Sequence, residues 1–339
     1  PLARNLEAAC RDDRLEPWRP QRQALQLIGN QAFSAWGQYG RWRLGPSRNI
    51  WQLKRWIDQR FMAGFARPAS MKPDQPMACR GCAAKLPAQP LTAALKQVGL
   101  GGLAEDASLL GGEPPRLQSI DGFPALLSDP WLNGRITALH ACSDLWACGA
   151  AVTSAMTVVT LPMAEPETQQ ELLFQTLDGI QTVLKEQGAQ LIGGHTLEAR
   201  SAAPAPMSLG LQVSLSVNGS SRNPWPKGGV QVGDALLLSR PLGNGVLFAA
   251  AMAAAGSPAH LDAALAVMGQ SQHGLVDQLQ AHGAEIHACT DITGFGLLGH
   301  LGEMLQGSTP LRVKLSAARI PVFDGVMSLL EQGYASSLA

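Results

Sequence analysis

Cys82-Ala83-Ala84-Lys85 sets a thiol and an ammonium three residues apart, close enough to share one small anion. A neighbouring cation lowers a thiol's pKa and keeps the thiolate available as a nucleophile or as a handler of a chalcogen. Acidic residues further along the chain give that spacing its weight. Asp106, Asp144 and Asp291 each stand among Gly or small residues, a setting suited to holding Mg²⁺ against phosphates. Asp144 is flanked by apolar residues of a helix-like stretch, where a carboxylate is costly to bury unless a cation or partner meets it. Asp106, taken alone, reads as an ordinary surface Asp.

Gly294-Phe295-Gly296-Leu297-Leu298-Gly299 fits the dinucleotide pattern G-x-G-x-x-G, yet the stretch 312–319 about 20 residues on lacks the acidic residue a ribose needs. The acid lies instead at Asp291, three residues before the first glycine. A carboxylate beside the backbone N–H groups of a helix start suits a phosphate with its Mg²⁺; a plain Gly-rich turn with Asp as N-cap is the other reading. Gly193-Gly194-His195-Thr196, after a strand expected at 189–192, can bring backbone amides close to a phosphate. Cys79 and Cys82 form a C-x-x-C pair, either a redox dithiol or half a zinc site. Cys142 and Cys148 are poorly spaced to complete the latter, and with Cys289 they read as inert buried thiols.

The elements that must hold these residues fall into an α/β or α+β pattern. Strands are expected at 117–120, 151–161, 207–217, 234–239 and 286–289, with helices at 135–149 and 165–187. Residues 1–67 form one unit, 68–78 a Pro-containing linker, 79–218 a second unit, 219–233 a Gly/Pro-rich boundary, and 234–339 a third. Within the first, Ile50, Leu53, Ile57 and Phe61 make an apolar stripe flanked by Lys54, Arg55 and Arg60. Such a basic amphipathic helix over 49–65 suits either an anionic membrane surface or a neighbouring domain.

The 339 residues are 46 % hydrophobic and 15 % charged, long enough for roughly two domains and too apolar for extended disorder. Net charge is zero, but residues 1–67 carry 12 Lys and Arg against 5 Asp and Glu, together with five of the eight Trp. No apolar run reaches the ~18 residues of a spanning helix. Six irregularly spaced Cys fit a reducing, cytoplasmic setting. A start at Pro1 and a stop at Ala339 lead us to expect a fragment of a longer protein.

Cys82-x-x-Lys85, Glu105-Asp106-Ala107, Ser119-Ile120-Asp121, Asn133-Gly134-Arg135 with Ser143-Asp144, Gly193 to Thr196, Arg240-Pro241-Leu242-Gly243-x-Gly245 and the run from Thr290 to His300 together resemble the selenophosphate synthetase (selenide, water dikinase) family. The likeness covers about residues 79–339 in one collinear series. Residues 1–67 look like the C-terminal tail of a flavin-dependent NADH-dehydrogenase-like protein, a fusion partner in some organisms.

The resemblance implies an aminoimidazole-ribonucleotide-synthetase-like two-domain α/β (α+β) fold, its C-terminal domain truncated, behind a short helical flavoprotein tail. It implies ATP-dependent synthesis of selenophosphate from selenide and water, with AMP and phosphate released. Asp106, Asp144 and Asp291 would hold Mg²⁺. Lys85, Leu103, Ala104, Glu105, Asp121, Asp144, Gly194, His195 and Thr196 would meet the nucleotide or its metals, Lys85 would neutralise the transferring phosphate, and Cys82 would be the thiol near selenium. A homodimer, a selenium-delivery protein, peripheral membrane contact through 49–65, and FAD in an oxidoreductase portion before Pro1 are further expectations; nucleic acid is not expected as a partner. The sequence departs from the family in carrying Ala83 where Gly is frequent, and Cys82 where some members carry selenocysteine. A thiamine-phosphate kinase or hydrogenase-maturation dehydratase of the same superfamily would keep the three Asp without needing Cys82 and Lys85. A non-catalytic membrane-docking module would be expected to lose the Asp residues, and none is lost.

Overall fold

The computed structural model describes residues 25–29, 33–65, 88–98, 105–199, 210–281, 285–306 and 311–336. The chain forms two compact units, Pro1–Ser70 and Met71–Ala339. In the first, β1 (Gln26–Gly29), β2 (Ala35–Tyr39) and β3 (Trp42–Ser47) make an antiparallel meander that leads into α1 (Arg48–Phe65). The expected helical tail is therefore only half of what forms. Tyr39 and Trp42 face each other across a two-residue hairpin turn, the cross-strand pairing that aromatic side chains favour. Ser47 caps α1, its Oγ accepting from Ile50 N at 3.2 Å. Among the described residues no helix is long and apolar enough to cross a membrane.

The second unit opens with α2 (Ala88–Gln97) and holds a five-stranded sheet in the order β4-β5-β8-β6-β7. Its strands are β4 (Ser108–Gly111), β5 (Arg116–Pro124), β6 (Ala151–Pro162), β7 (Gln190–Ala199) and β8 (Gln212–Ser220). All pair antiparallel except β6 with β7. Those two are joined through α4 (Pro166–Glu186), the crossover a parallel pair demands. β8 alternates strictly: Val213, Leu215 and Val217 are fully buried, while Ser214, Ser216 and Asn218 face the other side.

The buried face packs against α3 (Pro130–Ala147) and α4, with Leu145, Ile180, Val183 and Leu184 at the centre of the core. The two helices touch backbone to backbone. A side chain at Gly134 would strike Thr176 O, and one at Gly179 would strike Trp131 O. Only glycine at both positions lets the axes approach so closely, and that approach fixes where α3 carries its polar residues. On the opposite face Ile120, Met156, Val158, Ile192 and Leu197 are exposed.

Residues beyond Ser220 form a helical group: α5 (Asn244–Met252), α6 (Pro258–Met268), α7 (His273–Ala281), α8 (Gly296–Leu305) and α9 (Val326–Glu331). Val246, Leu247, Ala250, Ala264, Val326, Leu329 and Tyr334 make its core. The strands expected at 234–239 and 286–289 do not form. A strand persists only with a ladder partner, and in this region the described residues show just one bridge, Leu242 to Val322, while Leu237 stands 87 % exposed. The 193–196 stretch, expected after a strand, lies within β7, and Asp121, expected at a strand end, lies in the middle of β5.

Candidate active site at an aspartate cluster

Asp106 just before β4, Asp144 on α3 and Asp291 in the loop before α8 each offer a carboxylate oxygen within 4.8 Å of the others'. Two belong to the sheet–helix layer and one to the helical group, so the cluster exists only when residues separated by up to 185 positions fold together. Asp106, read from sequence as a surface residue, has a side chain only 6 % exposed.

Each carboxylate has a donor. Ser119 Oγ on β5 donates to Asp144 Oδ2 at 2.5 Å, and Ser143 Oγ on α3 donates to Asp291 Oδ2 at 2.5 Å. Thr290 Oγ1 donates to Asp106 Oδ1 at 3.3 Å. Lys227 Nζ lies 2.7 Å from the same Asp106 oxygen and 3.2 Å from Glu303 Oε2 on α8. Asp121 faces α3 beside the cluster, with His140 Nε2 2.8 Å from its Oδ2.

Burial pushes the Asp106 carboxyl up to about 6 against the pull of Lys227. It pushes Asp144 up to about 7, with Asp291 as the next cause. Carboxylates crowded and half-desolvated in this way repel one another until a cation enters. The donor set is all oxygen, with no His or Cys, which suits a hard divalent ion such as Mg²⁺ rather than zinc. The residues fit that ion. The thiols of Cys142 and Cys148, pushed by burial to about 12, and of Cys289, pushed to about 11, stay protonated and inert, as their sequence context suggests.

Of the other residues singled out from sequence, Cys82, Lys85, Leu103 and Ala104 lie outside the described residues, as does Cys79. Glu105 Oε2 accepts the backbone N–H of Lys227 at 2.7 Å. Gly194, His195 and Thr196 are not beside the cluster within one chain, because β7 stands three inter-strand spacings from β5, roughly 14 Å. His195 pairs in register with Val158, so it belongs to the exposed sheet face.

Ser119, Ser143, Thr290 and Lys227 carried no role in the sequence reading. The hydroxyls sit next to or near the acids in the same short motifs, which is a usable signal. Lys227 sits in a Trp-Pro-Lys-Gly-Gly stretch whose composition says only boundary.

The family model described as AIR synthase related protein, N-terminal domain, matches residues 104–217, and that of the corresponding C-terminal domain matches 231–337. A selenide, water dikinase from Bdellovibrio bacteriovorus is 32 % identical over 266 residues, covering 75 % of this chain and 73 % of its own. One from Pelobacter propionicus is 34 % identical over 278 residues, covering 75 % and 72 %. Among solved structures, thiamine monophosphate kinase from Aquifex aeolicus superposes with TM-score 0.59 at 16 % identity over 75 % of this chain and 84 % of that one. Hydrogenase maturation protein HypE in complex with ATP does so with TM-score 0.54 at 17 % identity over 74 % and 75 %. These two establish the fold and no more.

Proposed function

The chain belongs to the selenide, water dikinase family, and from that premise we propose the residues by which it makes selenophosphate from selenide, ATP and water, releasing AMP and phosphate. The observation that carries the assignment of a site is the convergence of Asp106, Asp144 and Asp291 from three distant segments.

In this reading the three carboxylates hold Mg²⁺, and Ser119 and Ser143 fix the direction in which Asp144 and Asp291 present their oxygens. When bound, the ion supplies the positive charge that draws off negative charge from the phosphoryl group in transfer. Lys85 adds a second positive charge at that group, and Cys82 handles the selenium. Selenide is a strong nucleophile at neutral pH, so the protein's own task is orientation and charge dispersal rather than activation. Glu105 and Asp121 border the site, Leu103 and Ala104 join the nucleotide contacts, and Gly194, His195 and Thr196 meet nucleotide bound across a homodimer. The exposed apolar sheet face, on which His195 also lies, supports the dimer.

The test is AMP formation from ATP and Mg²⁺ with and without selenide, in the wild-type protein and in Cys82→Ser. Selenide-dependent AMP that falls in the variant supports the reading. Selenide-independent ADP, unchanged by the substitution, would point to another kinase of the fold and leave Cys82 structural.

Residues 1–67 form the tail of an FAD-containing, NADH-dehydrogenase-like partner in the same proposal. The Pro1–Ser70 unit stands as a separate compact body, in keeping with that role. Its basic helix would let an otherwise cytoplasmic protein rest on an anionic membrane. A full-length protein that binds no flavin, or a first unit that fails to co-sediment with anionic liposomes, would remove the respective part.

A further inference from the structure

Lys227 is held at both ends by the segment that leads into β4. Its backbone N–H donates to Glu105 Oε2 at 2.7 Å, and its ammonium stands 2.7 Å from Oδ1 of the next residue, Asp106. The backbone that delivers it is clipped on two sides: Trp225 N donates to Cys148 O at 3.0 Å, and Cys289 N donates to Pro226 O at 2.9 Å. The Trp225 ring fills the space above Gly149, whose φ of +61° closes α3; a Cβ there would meet the ring at 2.6 Å. The main chain of Lys227 is therefore pinned, and a change of partner falls to its side chain.

The ammonium already bridges Asp106 to a second carboxylate, donating to Glu303 as well. Glu303 Oε2 lies 3.2 Å from it, with the Glu303 side chain 35 % exposed. His300 stands beside that carboxylate. Its Nε2 accepts from the backbone N–H of Thr293 at 3.1 Å, which leaves the ring proton on Nδ1, 3.5 Å from Glu303 Oε2.

We propose that Lys227 is the resident cation of the aspartate cluster: it neutralises Asp106 while no divalent ion is bound, and yields that carboxylate by swinging onto Glu303 when one enters. The inference rests on reading the cluster as a divalent-cation site. A carboxylate engaged by an ammonium is a poorer ligand, and the ammonium and the incoming ion repel at such distances. Lys227 thus lowers cation affinity in exchange for a cluster that stays ordered when empty, and Glu303 is the device that lets it step aside. Both are positioning residues, acting on the phosphoryl-transfer site through Asp106.

The measurement is Mn²⁺ titration calorimetry, alongside thermal unfolding of the cation-free protein, for wild type, Lys227→Met, Glu303→Gln and the double variant. Lys227→Met is expected to bind Mn²⁺ about tenfold more tightly while melting at a lower temperature when cation-free. Glu303→Gln, which strands the ammonium on Asp106, is expected to bind about tenfold more weakly, and this loss should shrink to within about twofold in the Lys227→Met background. Lys227→Gln keeps a donor for both carboxylates without the charge; it is expected to tighten binding likewise and replaces Lys227→Met should that variant not fold. Weaker or unchanged Mn²⁺ binding on neutralising Lys227 overturns the proposal alone, as does an equal loss from Glu303→Gln in both backgrounds. A wild-type protein that takes up no Mn²⁺ overturns the cation site itself, and this inference with it.

Discussion

Ser143 Oγ donates to Asp291 Oδ2 at 2.5 Å, tying α3 of the sheet layer to the loop that opens α8, 148 residues further along the chain. Ser143 also precedes Asp144, so one helical turn supplies a metal-ligand candidate and the donor that aims another. The bond makes the cluster's geometry a property of how the two halves of the second unit dock. Ser143→Ala should leave the fold intact and weaken Mg²⁺ binding about tenfold or more, read by calorimetry, with Ser119→Ala behaving alike through Asp144. Unchanged affinity in both would show that the hydroxyls merely fill space.

The crowded carboxylates give stability a pH dependence of defined sign. Asp144 titrates near 3.8 in an unfolded chain and near 7 in the folded one, and Asp106 near 6 when folded. Between those values the folded chain holds protons that the unfolded chain has released. Their contribution is full below about 4 and is lost as pH rises through about 6 to 7. The cation-free protein should therefore lose stability relative to Asp144→Asn over that window. The rise in melting temperature on adding Mg²⁺ should grow with pH across the same range, because binding displaces fewer protons. A Mg²⁺ increment flat from pH 5 to 8 would contradict the assignment.

Gly179 and Gly134 allow α3 and α4 to meet at backbone distance. Gly179→Ala should cost about 1–3 kcal/mol in urea unfolding, because the added methyl meets a carbonyl oxygen rather than a yielding side chain. The same substitution at Gly302 on α8, where a Cβ meets nothing within 4 Å, should be mild by comparison.

The apolar sheet face makes its own prediction. Ile120 is 71 % exposed and Val158 39 %, on strands whose other side is the core. If two copies cover this face, Ile120→Lys with Val158→Lys should shift light scattering from dimer to monomer without changing the far-ultraviolet circular dichroism. A wild-type protein that is already a monomer would remove the dimer and leave Gly194, His195 and Thr196 without a route to the nucleotide.

What the sequence by itself determined was local. The β8 alternation of Val213, Leu215 and Val217, the Pro-led helix after Glu165 and the apolar run around Asp144 each carry their period in consecutive residues, and each element formed, although β8 runs Gln212–Ser220 against the expected 207–217 and α3 runs Pro130–Ala147 against the expected 135–149. Asp144 was legible because a carboxylate among apolar helix residues is costly to bury without a partner. Tertiary structure decided everything that depends on meeting. It buried Asp106, which alone looks like any surface acid, by closing Lys227 over it. It denied a strand to the apolar stretch 234–239, because a ladder needs a neighbour that no local pattern can announce. It set Gly193 to Thr196 inside β7, away from the aspartates, although the motif's composition reads as a phosphate loop. Periodicity is encoded between neighbours a few residues apart, whereas a site built from residues 106, 144, 227 and 291 is encoded only in how the layers pack.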